Sequence, residues 1–368
     1  MEKALTFGIA VRNIKEEYLR KCVESVAANK SPHIEIIIVD DFSDDDCGKI
    51  CREYAKSDER IKYIKNEKNI GIGAVRNKII DEASGDWILF VDGDDVVSET
   101  FTDSFIEIFK NEYDVMLFGY TPFDTSDAVP AEECDNSCSF TILTDETVRN
   151  AAISAISRYE IYGEETKKQN IHPNTVLATA YRKSFLKRCG VRFDPSLKTA
   201  EDSTFNCIMY LSNPKTVKVT KNIYFYRLHR NSVTKRFNAE SKKTTDGYLK
   251  AIGDIVKTRF SNDGKVSEYV AKYRCTSAVT DNFERNIFHK DNKKSYSERR
   301  ADFLSLLSEE PYKGSLRYAD EIENHKQRLV LKLAKRKWFF ALDFAYRHAL
   351  VFKLYGGISN RINKLKKR

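Results

Sequence analysis

No run in the 368-residue sequence reaches the roughly 18 apolar residues that a membrane-spanning helix requires. The segment Met1 to Arg12 has too short an apolar stretch for a signal peptide, so a cytoplasmic protein is expected. Cysteine is sparse. The eight residues at 22, 47, 51, 134, 138, 189, 207 and 275 lack the dense spacing of a disulfide-stapled secreted domain, and reduced thiols are expected. Cys47-x3-Cys51 and Cys134-x3-Cys138 have no histidine at zinc-finger spacing, which speaks against structural zinc. There is no Gly-x-Ser-x-Gly elbow and no His-Glu-x-x-His helix, which removes common hydrolase readings. No internal repeat and no long low-complexity tract is found, so solenoids and disorder are set aside as well.

What is present suits a globular protein. With 41% hydrophobic and 12% aromatic residues there is material for a packed core, and the length suggests one catalytic domain with a smaller appendage. The net charge of +8 is uneven: His325 to Arg368 holds thirteen Lys and Arg against one acid, Asp343, a surplus of +12 that leaves −4 for residues 1–324. The basic character belongs to one appendage, and a nucleic-acid-coating protein is not indicated.

Short apolar runs alternate with segments of helical period, the pattern of strands and crossover helices in an α/β sheet. Strands are predicted at Leu5 to Val11, Ile34 to Asp40, Ile61 to Lys65, Trp87 to Val91 and Val115 to Tyr120. Helices are predicted at Glu17 to Ala28, Asp45 to Ala55 and Gly73 to Ala83, with Ser43 and Asp44 as caps. Thr121 to Cys138, rich in Asp, Glu, Ser and Pro, reads as a surface loop. Then come helical segments at Glu146 to Tyr159 and Asn174 to Lys187, a helix from Glu201 and a strand pair around Val217 to Tyr226. From Ala239 onward only helical period and charge remain, which places a domain boundary near residue 240: an α/β domain over 1–240 and a helical, basic region over 241–368.

Several chemistry-bearing features fall at the carboxyl ends of the predicted strands, where open α/β sheets hold ligands. Val39-Asp40-Asp41-Phe42-Ser43 offers carboxylates to a base or ribose, and taken alone reads first as a helix cap. Asn69-Ile70-Gly71-Ile72-Gly73-Ala74-Val75-Arg76-Asn77 combines glycines with a fixed cationic fork; it is either a phosphate contact or a turn with a salt bridge. It is neither a Walker loop nor a dinucleotide fingerprint. Phe90-Val91-Asp92-Gly93-Asp94-Asp95 crowds three carboxylates behind an apolar strand. Such crowding calls for a compensating cation, and hard oxygen donors suit Mg²⁺ or Mn²⁺; the alternative is a solvated acidic turn. Glu201-Asp202 opens a helix, where acidic residues are also ordinary first-turn charge. Tyr224-Phe225-Tyr226-Arg227-Leu228-His229-Arg230-Asn231-Ser232-Val233-Thr234 groups aromatic, cationic and imidazole side chains, and a lone histidine such as His229 is more often structural than a ligand.

In this order and spacing the elements resemble the family 2 glycosyltransferases of the GT-A fold. The match is best over the first 120 or so residues, through Asn13, Val39-Asp40-Asp41-Phe42-Ser43, Asn69-x-Gly71-x4-Arg76-Asn77, Ala83-x-Gly85-Asp86-Trp87-Ile88 and Phe90-x-Asp92-x-Asp94-Asp95. A weaker match runs through Tyr181-Arg182, Phe193, Glu201-Asp202 and Tyr226-Arg227-x-His229-x-x-Ser232. The resemblance implies a mixed sheet flanked by helices and a metal-dependent, inverting transfer from a UDP-sugar to a hydroxyl of a surface polysaccharide or lipid-linked glycan. By it, Asp41 hydrogen-bonds uracil, Asn69 and Arg76 hold the base and diphosphate side, and Ala10, Arg12, Asn13 and Gly93 complete the donor site. Asp92 and Asp94 are similar to the Asp-x-Asp pair that binds ribose and a divalent metal, with Asp95 competing for the metal. Asp202, seconded by Glu201, is implied as the catalytic base, ionised at neutral pH; Arg227 and His229 are implied to close over the diphosphate, His229 also as a metal ligand. One departure stands out: where the family has Pro-x-Tyr-Asn, this chain has Ala10-Val11-Arg12-Asn13, so the ring that stacks on uracil is missing and the Arg12 guanidinium is the candidate replacement.

Two rival classes are a nucleotidyltransferase, which also uses acidic metal ligands on an α/β sheet, and a membrane-associated nucleotide- or glycan-binding module without activity. In the C-terminal region Leu329, Leu333, Trp338, Phe339, Leu342, Phe344, Tyr346, Leu350, Phe352 and Leu354 alternate with basic residues. Such a helix either lies on the anionic inner face of the plasma membrane or packs on the catalytic domain with a solvated basic face.

Overall fold

In the computed structural model, which describes residues 4–102, 108–124, 129–130, 139–158, 171–228, 236–348 and 352, the early apolar runs are parallel strands. β1 (Leu5–Val11), β2 (Ile34–Asp40), β3 (Ile61–Lys65) and β4 (Trp87–Asp92) are linked by α1 (Glu16–Ala27), α2 (Cys47–Ser57) and α3 (Ile72–Glu82). β1, β2 and β4 are almost wholly buried, as an apolar run without alternation demands of a sheet covered on both faces. Expected and observed limits agree within about two residues, the uncertainty of any element end.

With β5 (Val96–Val97), β6 (Val115–Asp124), β7 (Phe140–Ile142), β8 (Thr179–Arg182) and β9 (Thr216–Leu228), the nine-stranded sheet runs β3-β2-β1-β4-β8-β6-β9-β5, with β7 on β9. The order reverses between β1 and β4, so a crevice opens beyond the carboxyl ends of these two strands. Register aligns those ends: Val11 lies opposite Asp40 and Ala10 opposite Asp92. The loops 12–13, 41–46 and 93–95 therefore emerge side by side.

The second half of the sheet departs from expectation. Residues 179–182, expected to be helical, form β8 (Thr179–Arg182), antiparallel to both β4 and β6 (Val115–Asp124). Only Lys183–Arg188 is helix there, because Ala180 and Tyr181 are captured between neighbouring strands, and sheet pairing overrides helical propensity. β6 extends through Asp124 rather than ending at Tyr120, its last residues paired with β9. The expected strand pair is one long strand, β9 (Thr216–Leu228), which also pairs with β5 (Val96–Val97). Ser43 and Asp44 do not cap α2, whose N-cap residue is Asp46.

Residues 156–158 and the described residues from 236 onward group as a second compact unit. Its described part is helical, including π-helical turns at Val270–Cys275 and Phe283–Ile287. Phe283, Phe288, Phe303 and Phe339 pack ring against ring, and a buried Arg299–Asp343 ion pair at 2.5 Å lies beside them. Asp343, the one acid of the basic segment, is thus a core residue.

In the sheet unit, Trp87 is fully buried, donates its indole N–H to the Phe109 carbonyl at 2.9 Å and carries the Arg182 guanidinium on its ring at 4.6 Å. Trp87→Ala is expected to destabilise the protein by ~3–5 kcal/mol, read as a lower urea midpoint at unchanged m-value.

Candidate active site

One guanidinium gathers the acidic residues. Arg76, on the first turns of α3, is 3% exposed. Its Nη1 donates to Asp202 Oδ1 at 2.5 Å and to Glu201 Oε1 at 3.3 Å, while Nη2 donates to Asp92 Oδ1 at 3.1 Å. Its flat face lies 5.5 Å from the Phe193 ring, which stacks on Phe205 at 3.9 Å. Position is fixed by the reciprocal pair in which Asn77 Nδ2 donates to the Phe193 carbonyl and Phe193 N–H donates to Asn77 Oδ1. That clasp holds the segment leading to the helix Glu201–Leu211 against α3. Ala200, its N-cap residue, is left-handed at φ 65° and turns the two acids toward Arg76.

Three carboxylates on one cation leave the cluster net negative. Burial pushes the Asp202 carboxyl up to about 7; Arg76 opposes the shift, while Glu201 and Asp92 add to it. Asp202 is therefore not the fully ionised group expected at neutral pH but one poised to gain or lose a proton there. For Arg76 itself, burial favours the neutral form, yet Asp202, Asp92 and Glu201 reverse this and keep it charged. The expected role of Arg76 at the donor diphosphate is altered accordingly: its Nη atoms are engaged by carboxylates.

The acidic turn after β4 is clamped from behind by β9. Asp92 N–H donates to Tyr224 Oη at 3.1 Å, and Tyr224 Oη–H donates to Asp95 Oδ2 at 2.7 Å. Arg227 N–H donates to Asp95 Oδ1 at 2.8 Å, and Arg227 Nε donates to the Asp94 carbonyl at 2.7 Å. Asp95 is 1% exposed with both oxygens occupied, and burial, with the nearby Asp94 and Asp92 charges, raises its pKa well above the ordinary aspartate value. This corrects the expectation for Asp95, which anchors the turn instead of facing a metal. Arg227 is likewise enclosed, between the Tyr18 and Phe123 rings at 4.4 and 4.6 Å, and braces the turn rather than standing over a diphosphate. His229 lies outside the described residues, as do Cys134 and Cys138. Gly93 donates its N–H to the Ala10 carbonyl, and a Cβ at this position would sit 2.9 Å from that oxygen, so the turn closes onto β1 only with glycine.

Asp92 and Asp94 remain half-buried at the crevice. Among the described residues no three Asp, Glu, His or Cys side chains form a ready-made cation cage.

At the end of β2, Asp41 is 4% exposed and serves first as a loop anchor. Its Oδ1 accepts from Asn66 Nδ2 at 3.0 Å and Ile70 N–H at 2.8 Å, and its Oδ2 from Gly71 N–H at 3.0 Å. Asn69 is exposed and accepts the same Gly71 N–H through Oδ1. Asn13, left-handed at φ 49°, donates its N–H to Ser43 Oγ and accepts from Asp44 N–H through Oδ1, tying the end of β1 to that of β2. This is the structural use of the Ser43 and Asp44 that were expected to cap a helix. Arg12 is exposed beside it.

Sequence reasoning gave no role to Phe42. Its ring is 49% exposed and its φ is 62°, a left-handed conformation that a bulky side chain rarely adopts. The signal was there to be read: an apolar ring between Asp41 and Ser43, in a loop otherwise polar. Tyr224, named in the aromatic stretch, was given no role of its own, since its contribution needs the pairing of β9, which local pattern does not reveal.

The family model for "Glycosyl transferase family 2" matches residues 6–190. Glycosyltransferase GlyA of Streptococcus pneumoniae is 28% identical over 281 residues, 74% of this chain but 37% of GlyA, so the chain spans little more than a third of that relative. Glycosyltransferase GlyG of the same organism is 26% identical over 67% of this chain and 82% of its own length. The crystal structure of Staphylococcus aureus TarS 1-349 in complex with UDP-GlcNAc superposes with a TM-score of 0.59 at 19% identity, covering 94% of this chain and 92% of that one. The likeness establishes the fold: the GT-A architecture expected from the sequence, with a helical C-terminal region.

Arg76→Met strands three carboxylates and is expected to destabilise the protein by ~3–5 kcal/mol. Because Asp202 takes up a proton below about pH 7, the loss in melting temperature should be larger at about pH 8 than at about pH 6. A pH-independent loss would mean that Asp202 does not titrate against Arg76 in this range.

Proposed function

Given that the chain belongs to glycosyl transferase family 2, we propose that it transfers a sugar with inversion from a UDP-sugar to a hydroxyl of a glycan or lipid-linked saccharide in bacterial surface-polysaccharide assembly. The observation that carries this reading is the convergence of Asp202 and Asp92 on Arg76 across more than a hundred residues of sequence. Inverting transfer requires an acceptor hydroxyl made nucleophilic on one side of the anomeric carbon and a stabilised diphosphate on the other. Asp202 suits the first requirement, because near pH 7 its carboxylate can take the hydroxyl proton while Arg76 fixes its orientation. Glu201 shares the same guanidinium and helps to set that proton affinity.

UDP is favoured over other nucleotides by the likeness to TarS, whose crystal structures include complexes with UDP and UDP-GlcNAc. Asp41 has three of about four carboxylate acceptor positions filled by the 66–71 loop, which leaves one for the imide N–H of uracil. With no aromatic at position 12, the exposed ring of Phe42, next to Asp41, is the side chain that stacks on the base, with Arg12 beside it.

The donor set at the acidic turn fits Mn²⁺ or Mg²⁺, ions held by one or two carboxylates with phosphate oxygens completing the shell. Asp94 with Asp92 would hold the ion, which supplies charge to the departing diphosphate. Asp95 and Tyr224 keep that turn rigid behind them. An enzyme using a lipid-linked acceptor works at the cytoplasmic face of the membrane, and no helix among the described residues is long and apolar enough to cross it.

With UDP-sugar and acceptor supplied, the protein should release UDP, whereas pyrophosphate release from a nucleoside triphosphate would replace this reading with nucleotidyl transfer. Asp202→Asn should abolish release while the protein stays folded; for the wild type, kcat/KM should climb through pH about 7 as Asp202 deprotonates. Full turnover by the variant would remove Asp202 from the chemistry. Phe42→Gly relieves the left-handed strain, so its melting temperature should hold or rise while UDP binds about tenfold more weakly and Phe42→Tyr binds normally. Equal UDP affinity in all three proteins would assign the ring no part in binding.

A further inference from the structure

The basic C-terminal segment separates into an inward and an outward set of aromatics. In the helix Phe339–Arg347, the residues Phe339, Leu342, Asp343 and Ala345 are buried in the helical unit. On its other side Phe340 is 72% exposed and Phe344, one turn on, 50% exposed, with Trp338 just before the helix 52% exposed. Residues four apart share a helix face, so Phe340 and Phe344 make one apolar tip, and Trp338 lines the same groove as Phe340. A groove of about 340 Å³ runs beside it, between Tyr296 and Arg300 on one wall and Lys337, Trp338 and Phe340 on the other.

Charge identifies what covers the tip. Lys332 and Lys335 reach Asp320, and Arg347 reaches Asp343, so those cations have carboxylate partners. Arg300 and Lys337 have none among the described residues, and Arg336 lies over the Trp338 ring at 5.2 Å. Both Arg300 and Lys337 line the groove, and no acid does. Exposed Trp and Phe beside unpaired Arg and Lys is the composition that inserts at a lipid–water interface, rings toward the acyl chains and cations at the phosphates.

We propose that Trp338, Phe340 and Phe344 insert into an anionic phospholipid bilayer, with Arg300 and Lys337 binding a headgroup phosphate in the groove. The surface is independent of the transferase reading, since it needs neither donor nor catalytic base.

The test uses the full chain without nucleotide, mixed with vesicles of phosphatidylcholine alone or of phosphatidylcholine with phosphatidylglycerol. The chain has two tryptophans, and Trp87 is fully buried in the sheet, so a blue shift in emission reports on Trp338. Co-sedimentation with the anionic vesicles only, accompanied by that shift, is expected. Phe340→Ser with Phe344→Ser should weaken binding about a hundredfold at an unchanged melting temperature. Arg300→Gln and Lys337→Gln should each cost about fivefold and reduce the preference for anionic lipid. Equal binding to neutral vesicles, or no binding, would overturn the proposal. So would binding that survives loss of both rings but disappears when Lys364, Lys366, Lys367 and Arg368 become Gln. A dimer in solution that the double Ser variant dissociates, without any vesicle binding, would instead make the tip a contact between copies.

Discussion

The contact between Arg76 and three carboxylates from distant parts of the chain is what the rest of the site depends on. Asp92 arrives at the end of a buried strand, Glu201 and Asp202 at the start of a helix, and Arg76 on a helix that precedes them all in sequence. Burying a guanidinium is costly unless its charge is met, and burying carboxylates is costly for the same reason. Each element therefore makes the others tolerable. The Phe193–Phe205 stack and the Asn77–Phe193 clasp exclude water around the cluster, and that exclusion lifts the Asp202 carboxyl into the range where a proton is exchanged near neutrality. Architecture and acid–base property thus have one origin.

A second level of support lies behind the acidic turn. Three adjacent carboxylates would repel if all faced solvent alike, and the structure sorts them. Asp95 is withdrawn, raised in pKa and tied to Tyr224 and Arg227, while Asp92 and Asp94 stay at the crevice. The relay from Asp92 N–H through Tyr224 Oη to Asp95 fixes the backbone of the turn to β9. Two carboxylates are thereby presented at the crevice by a third that is tied to β9.

Much of this was legible in the sequence where the signal was local. Continuous apolar runs gave β1, β2 and β4 nearly to the residue, as strands buried on both faces. The strand-end positions of Asp41, Asp92 and Asp94 followed from the same runs. What failed was whatever depends on pairing between distant segments. Thr179–Arg182 carries no alternation that separates it from a helix, and β9 shows its length only through β6, β5 and β7. Arg227 and Asp95 looked like ligand-facing charges because sequence records a charge but not the direction of its side chain. Asp41 carries a further task that sequence did not record, since most of its acceptor positions hold the 66–71 loop.

The C-terminal region shows the same limit from the other side. Alternation of aromatic and basic residues fits a helix on a membrane and a helix packed on the catalytic domain equally well, and the described inward residues pack within the helical unit itself. Phe339 and Leu342 are core, held beside the Arg299–Asp343 pair, whereas Phe340 and Phe344 project outward. The single acid in a segment of thirteen cations decides the charge of the outer face. Asp343 is engaged inside, by Arg299 and Arg347, so it contributes no negative charge there. Among the described residues the groove beside Trp338 and Phe340 is thus lined by rings and by the cations Arg300 and Lys337, with no carboxylate, a composition that the proposed anionic lipid surface would complement.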